Sequence, residues 1–234
     1  LACDPPRLKS GDPLASEFVD LAALATCDLV TFHVPLYTSG NSRTAGLIDA
    51  EFLRCLPSDC LLVNTSRGGV LNEEDAVRIL GMRKDMHLVL DVFEGEPYPD
   101  PTLVHLADLA TPHIAGYSKL AKHLAAKKVV KDLKGFFDLD DPERNETHHL
   151  SERRHLELLT DELDEVWKAA LTSLDLWSIS DTFKRGVQRG EAGTVFQALR
   201  KECSSRLEYS EWFSLSQSSE QLNTYLAGLG FALN

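Results

Sequence analysis

The first half of the chain alternates short apolar runs with amphipathic stretches, and few folds accommodate that order. The runs are Leu1-Ala2-Cys3, Asp28 to Phe32 (DLVTF), Cys60 to Asn64 (CLLVN), His87 to Val92 (HLVLDV) and a short Asp108 to Thr111. Between them lie segments with helical spacing: Ser16 to Ala25, Asp49 to Cys55 and Glu73 to Leu80. Parallel strands need crossover connections, usually helices, so the order reads as repeated strand–helix–strand units. It predicts an α/β fold built on a doubly wound parallel sheet.

The second half reads differently. A long helical pattern from Leu120 to Phe137 runs into the charged, proline-bearing stretch DLDDPERNETHH, where composition shifts sharply. Beyond it, Ser151 to Leu174 reads as helix, DLWSIS as strand, Thr194 to Cys203 as helix and Glu211 to Ser216 as strand. A last helix near Glu220 to Leu229 should stop at Gly230, which readily takes the left-handed cap conformation. The expected division is residues 1–140, a linker over 141–150, and a small α+β domain over 151–234.

Composition removes several function classes. With 234 residues, 43% of them hydrophobic, the chain can build one large core or two modest ones. A formal net charge of -12 repels phosphate backbones, so nucleic-acid partners are not expected. An anionic small molecule would need a local cationic pocket. No run approaches the roughly 18 consecutive apolar residues of a membrane span, and Leu1 to Arg7 lacks the basic start and apolar core of a signal sequence. A cytoplasmic location without membrane partners is the default expectation. Cys3, Cys27, Cys55, Cys60 and Cys203 show no CxxC spacing, so they read as reduced thiols and no metal site is expected.

Three segments follow predicted strands: Asn64-Thr65-Ser66-Arg67-Gly68-Gly69, Asp91-Val92-Phe93-Glu94-Gly95-Glu96-Pro97, and Thr111-Pro112-His113-Ile114-Ala115-Gly116-Tyr117. In an open parallel sheet, strand C-termini converge on one crevice, so Arg67, Asp91, Glu96 and His113 could meet although distant in sequence. An Arg can hold a carboxylate with two parallel hydrogen bonds. A His can remove a hydroxyl proton near neutral pH, and a carboxylate beside it orients the ring and favours the imidazolium. Glu96 is the natural candidate for that partner. Taken singly, each residue reads better as a surface turn, a solvated loop charge or a packed histidine; their joint placement reverses that and favours chemistry. Asp4, after an apolar run and before Pro5-Pro6, reads as a helix cap or as a ribose-binding carboxylate. His33 in TFHVPL reads as structural, and His148, His149 and His155 as part of a solvated segment.

The segments TFHVPL, VNTSRGGVLNEEDAV, LDVFEGEP and TPHIAGYS resemble, in order and spacing, the signatures of the D-2-hydroxy acid dehydrogenases. The resemblance covers roughly the first 140 residues. It implies a partial Rossmann-type domain binding NAD, with Arg67 holding the substrate, Glu96 as partner carboxylate and His113 as acid/base. It further implies that Asp91 holds the nicotinamide carboxamide and that Asp4, Val34, Thr65, Ser66 and Gly116 line the cofactor cleft. Pro5-Pro6, the HIAGYS form of the histidine motif and the tail segments Arg206 to Ser210 and Leu229 to Phe231 narrow the likeness. They resemble members that act on a phosphorylated 2-hydroxy acid and carry an extra C-terminal dimerisation domain. By that likeness Tyr117 touches substrate and the protein is a homodimer.

The chain also departs from the pattern. The family's glycine-rich GxGxxG turn should lie some 20 residues before Asp4, whereas only three residues precede it here. The chain is therefore expected to be a fragment of a longer enzyme. After the histidine motif it reads GYSKLAKHLAA, with Lys122 kept, Leu124 where the family has Arg, and Ala121 and Ala125 where it has glycine. Two alternatives stay open: a relative acting on another hydroxy acid, such as phosphoglycerate or glycerate, and a non-catalytic dimerisation module that retains an ancestral cleft.

Overall fold

A computed structural model of the chain describes residues 1–139, 154–156, 164–214 and 220–231. The expected linker at 141–150 lies outside the described residues. Two compact units emerge, Leu1–Ala115 with Trp177–Leu199, and Gly116–Leu176 with Arg200–Asn234. The chain thus divides elsewhere than at residue 140. The reason lies in Phe183 and Phe196, which pack into the first unit's core and draw residues 177–199 into it.

In the first unit, α1 (Pro5–Lys9) and α2 (Leu21–Leu24) precede β1 (Leu29–Phe32). Then α3 (Ala50–Cys55), β2 (Leu61–Asn64), α4 (Glu73–Met82), β3 (His87–Leu90), α5 (Pro101–Leu106) and β4 (Leu109–Ala110) follow. The four strands form one parallel sheet in the order β1-β2-β3-β4. Each helix starts at a sequence-encoded cap: Asp49, Asn72 and Asp100 accept N–H bonds from the first turns of α3, α4 and α5. Proline at position 101 suits the first turn of α5, where its missing N–H costs nothing.

Alternation along the strands decides which face is buried. Val30 and Phe32, Leu62 and Asn64, and Leu88 and Leu90 are buried, whereas Leu29 is exposed and Leu61, Val63 and Val89 are half-buried. Ile48, Leu53, Ile79 and Leu103, from or beside the crossover helices, complete the core.

Three sequence expectations give way here. Ser16 to Ala25 is not one helix, because Phe18 bridges Ala2 and the Val19 N–H bonds the Ala2 carbonyl, leaving α2 only after the Asp20 cap. The opening Leu1-Ala2-Cys3 is correspondingly a single bridge rather than a strand of the main sheet. The segment DLWSIS is not a strand; all but its first residue belong to α8 (Leu176–Gln188). Its buried residues, Ser180, Phe183, Gly186 and Val187, recur at helical spacing, in a stripe that runs beyond the six residues first read.

Helix α8 also answers a problem of the sheet. As an edge strand, β4 would leave backbone groups unpaired. The Ala110 N–H donates to the Ser180 hydroxyl at 2.9 Å, and the Lys184 ammonium donates to the Ala107 and Asp108 carbonyls. Phe183 meets Phe93 and Phe196, each with ring centres 5.9 Å away. Burial holds the Lys184 amine below its ordinary pKa, against the raising effect of Asp108 and Asp181.

The second unit contains α6 (Lys119–Phe136), β5 (Arg154–Leu156), α7 (Asp164–Ser173), the end of α9 (Ala192–Cys203), β6 (Trp212–Ser214) and α10 (Glu220–Leu229). Strands β5 and β6 pair in parallel. Within the stretch expected to be helical from 151, Arg154–Leu156 is strand and Asp164–Ser173 is helix; the rest, Leu174 apart, lies outside the described residues. Helix α10 ends as its sequence suggests. Gly230 takes φ of 94°, its N–H bonds the Ala227 carbonyl, and the Phe231 N–H bonds Leu226. Phe231 and Leu226 then join one apolar cluster with Val166, Ala169, Trp212 and Leu222, the hydrophobic contact that accompanies this cap.

Candidate active site

The C-terminal ends of β2, β3 and β4 carry the loops that hold most of the candidate residues. Because these strands are parallel neighbours, the loops leave the same edge of the sheet.

After β2, Asn64 is buried and organises the turn. Its carboxamide oxygen accepts from the Ser66 N–H at 3.1 Å and the Ser66 hydroxyl at 2.7 Å, and its amide nitrogen donates to the Arg67 carbonyl. Thr65 is half-buried, Ser66 is buried and Arg67 is exposed, with one guanidinium nitrogen donating to the Ser66 carbonyl at 2.6 Å. Gly68 brings this loop against the next. A Cβ there would lie 1.9 Å from the Phe93 carbonyl oxygen, so only glycine permits the approach. Arg67 is thereby held next to the loop that carries Glu96.

After β3, Glu96 accepts from the Phe93 N–H through Oε1 at 3.0 Å and meets His113 Nδ1 through Oε2 at 2.8 Å. The pair is part-buried, with side-chain exposures of 30% for His113 and 23% for Glu96. Since the carboxylate accepts at Nδ1, the ring hydrogen sits there and Nε2 remains as the nitrogen that can take a proton. Glu73, at the start of α4, steadies the same loop by accepting from the Glu94 N–H at 2.6 Å. Burial raises the Glu73 pKa; the Glu94 N–H opposes this, and the charges of Glu94, Asp100 and Glu96 add to it.

After β4, His113 adopts φ of 56°, a left-handed conformation uncommon outside glycine. Asp91 stabilises this turn. Its Oδ1 accepts from the Thr111 hydroxyl at 2.6 Å and the Ile114 N–H at 2.7 Å, and Oδ2 accepts from the Ala115 N–H at 2.8 Å. Asp91 is 2% exposed. Burial lifts its pKa above the ordinary carboxylate range, while the three hydrogen bonds and the nearby His113 pull it down.

Glu96, His113, Asp91, Arg67, Thr65 and Ser66 thus lie on adjoining loops. Asp4 does not join them on the main sheet: its Oδ1 accepts from the Arg7 N–H and caps α1. Val34, just after β1, packs half-buried against the core, and His33 contacts the Thr31 hydroxyl at 3.0 Å. Gly116 and Tyr117 belong to the second unit. Sequence reasoning missed Asn64, Gly68, Glu73 and Thr111 as positioning residues. Asn64 and Gly68 did stand inside a motif read for its Arg, and a polar residue ending an apolar strand was the available signal.

Residues 2–115 match the family model described as D-isomer specific 2-hydroxyacid dehydrogenase, NAD binding domain. Erythronate-4-phosphate dehydrogenase of Shewanella sp. (strain W3-18-1) is 47% identical over 116 residues, which are 49% of this chain and 30% of that protein. The enzyme of the same name from Shewanella sp. (strain MR-7) is 32% identical over 98% of this chain and 60% of its own length. Among solved structures, a glyoxylate reductase from Paecilomyes thermophila aligns with 50% of this chain and 35% of its own at 26% identity and a TM-score of 0.45. The chain therefore spans at most about three-fifths of these two curated relatives. Residues 2–115 are thus similar to the NAD-binding domain of the D-isomer specific 2-hydroxyacid dehydrogenases, and nearly the whole length of the chain is similar to erythronate-4-phosphate dehydrogenase.

Proposed function

We propose that this chain is the NAD-binding and C-terminal part of an enzyme that oxidises 4-phospho-D-erythronate to 2-oxo-3-hydroxy-4-phosphobutanoate, an early step toward pyridoxal phosphate. The observation that carries the reading is the 2.8 Å contact between Glu96 and His113 on adjoining strand-end loops. In the proposed reaction Nε2 of His113 takes the C2 hydroxyl proton, leaving an imidazolium beside the Glu96 carboxylate. The guanidinium of Arg67 holds the substrate carboxylate and polarises the C2 oxygen as it becomes a carbonyl. NAD, when bound, accepts the hydride that leaves C2. Two of the chain's residues fit that cofactor. Asp91 Oδ2 accepts a single bond from Ala115, so a second lone pair remains for a carboxamide N–H. Asp4 uses only Oδ1 in capping, which leaves Oδ2 for a ribose hydroxyl. Thr65, Ser66, Val34 and Gly116 are proposed to line the cofactor, and Tyr117 to contact substrate. The whole protein is proposed to be a cytoplasmic homodimer without nucleic-acid or membrane partners; no helix among the described residues is long and apolar enough to cross a membrane.

The test is NADH formation by the complete protein that carries this chain. 4-Phospho-D-erythronate should be the preferred substrate, and Arg67→Lys should lower kcat/KM by about 10- to 100-fold, because one ammonium cannot replace a two-pronged contact. A preference for phosphoglycerate, or turnover unchanged by the substitution, would overturn the reading.

A further inference from the structure

We infer that Tyr98 and Gly193 are positioning residues for the Glu96–His113 pair, the tyrosine seating the Glu96 turn on the first residues of α9. The turn is closed on itself. The Tyr98 N–H donates to the Gly95 carbonyl at 2.7 Å, and a Cβ at Gly95 would lie 2.8 Å from the Tyr98 carbonyl oxygen. Glu96 is the second of these four residues, and its Oε2 meets His113 Nδ1 at 2.8 Å. The Tyr98 side chain leaves the turn and lies against Gly193. A Cβ on that glycine would come within 2.5 Å of Tyr98 Cε1, 2.9 Å of Cζ and 3.1 Å of the hydroxyl oxygen. The ring therefore occupies the space that a side chain there would take. Tyr98 is 72% exposed, so this contact, rather than burial, is what places the ring.

The other end of the loop rests on the same two helices, and all of these residues lie in the first compact unit. Phe93, whose N–H donates to Glu96 Oε1 at 3.0 Å, packs its ring against Phe183 of α8, and Phe183 packs against Phe196 of α9. Gly193 and Phe196 are three residues apart and so share a face of α9. The helices are themselves closely set. A Cβ on Gly186 would fall 2.6 Å from Val195 Cγ1, and the Glu191 N–H bonds the Gly186 carbonyl at 2.9 Å. The segment from Phe93 to Tyr98 is thus gripped at both ends by one helix pair, with the Glu96 carboxylate between the grips. Releasing the Tyr98 end lets Glu96 drift from the ring nitrogen that it meets. The group bonded at one imidazole nitrogen decides which of the two carries the hydrogen, so the contact with Gly193 acts on the His113 tautomer from outside the pair. Giving that tautomer a part in catalysis rests on the reaction proposed above, but the tautomer can be read without turnover.

Nitrogen NMR of the neutral His113 ring in this chain should place its hydrogen on Nδ1. Gly193→Ala displaces the tyrosine ring while suiting a helix better than glycine does. It should move the ring toward the form with hydrogen on Nε2 and leave thermal unfolding little changed. Tyr98→Ala should do the same, whereas Tyr98→Phe, which keeps Cε1 and Cζ against the glycine, should match the parent. A parent ring with its hydrogen on Nε2, an unmoved tautomer in both alanine variants, or a shift in Tyr98→Phe as large as in Tyr98→Ala would overturn the seat. In the complete protein, each alanine variant should lower kcat by about tenfold, with KM for NAD unchanged. Turnover at the parent rate with an unmoved tautomer would remove the seat and keep the dehydrogenase. A shifted tautomer with turnover at the parent rate would overturn the seat's part in catalysis. A shifted tautomer in a protein without NAD-dependent turnover would keep the seat and remove the dehydrogenase.

Discussion

At the residue scale, the pairing of Glu96 with His113 was legible in the sequence, because both follow strands of one parallel sheet, and the two side chains meet at 2.8 Å. Their supports were not. Nothing in the one-dimensional pattern says that Glu73 reaches the Glu94 amide, or that Asp91 ties three donors of the histidine turn. Replacement of His113 by Asn suits the left-handed backbone there, since Asn is among the residues that tolerate it. Oxidation by the complete protein should therefore fall about 100- to 10,000-fold with NAD affinity nearly intact, as fluorescence titration would report. Burial raises the Asp91 pKa above that of the unfolded chain, so folding binds a proton there more tightly than the unfolded chain does. That contribution to stability is present below the unfolded pKa and is lost as pH rises through the higher folded value. Asp91→Asn should cost about 1–3 kcal/mol, because the amide nitrogen that replaces Oδ2 cannot accept from the Ala115 N–H. The deficit should shrink between acid and neutral pH, and urea unfolding at both would reveal a constant deficit if the linkage is absent.

At the element scale, strands β1 to β4 and helices α3 and α4 followed from capping residues and apolar alternation, which act within a few residues. What could not be read was α8, whose helical identity depends on a buried stripe that repeats beyond the DLWSIS window. Its Ser180 hydroxyl answers an amide 70 positions earlier in the chain, a relation no local pattern encodes. Ser180→Ala would leave the buried Ala110 N–H without an acceptor. A loss of about 1–3 kcal/mol is expected, measured by denaturant unfolding, together with faster hydrogen exchange at Ala110. Unchanged exchange there would show that the edge is protected by other means.

At the scale of the whole molecule, the first compact unit is discontinuous, since it takes in residues 177–199 after a long excursion. The sheet's last strand is consequently synthesised well before the helix that seals it. While the ribosome adds the intervening stretch, a nascent chain presents β4 with its outer edge bare and the aromatic side of Phe93 uncovered. Bare edges recruit other strands, and slow completion prolongs that exposure. A piece ending at residue 140 should accumulate in the insoluble fraction, whereas one ending at residue 203 should be recovered soluble; equal solubility would show that closure by α8 is dispensable. Translation speed across the excursion, rather than any residue of the strand-end loops, would then set how much of this protein a cell obtains.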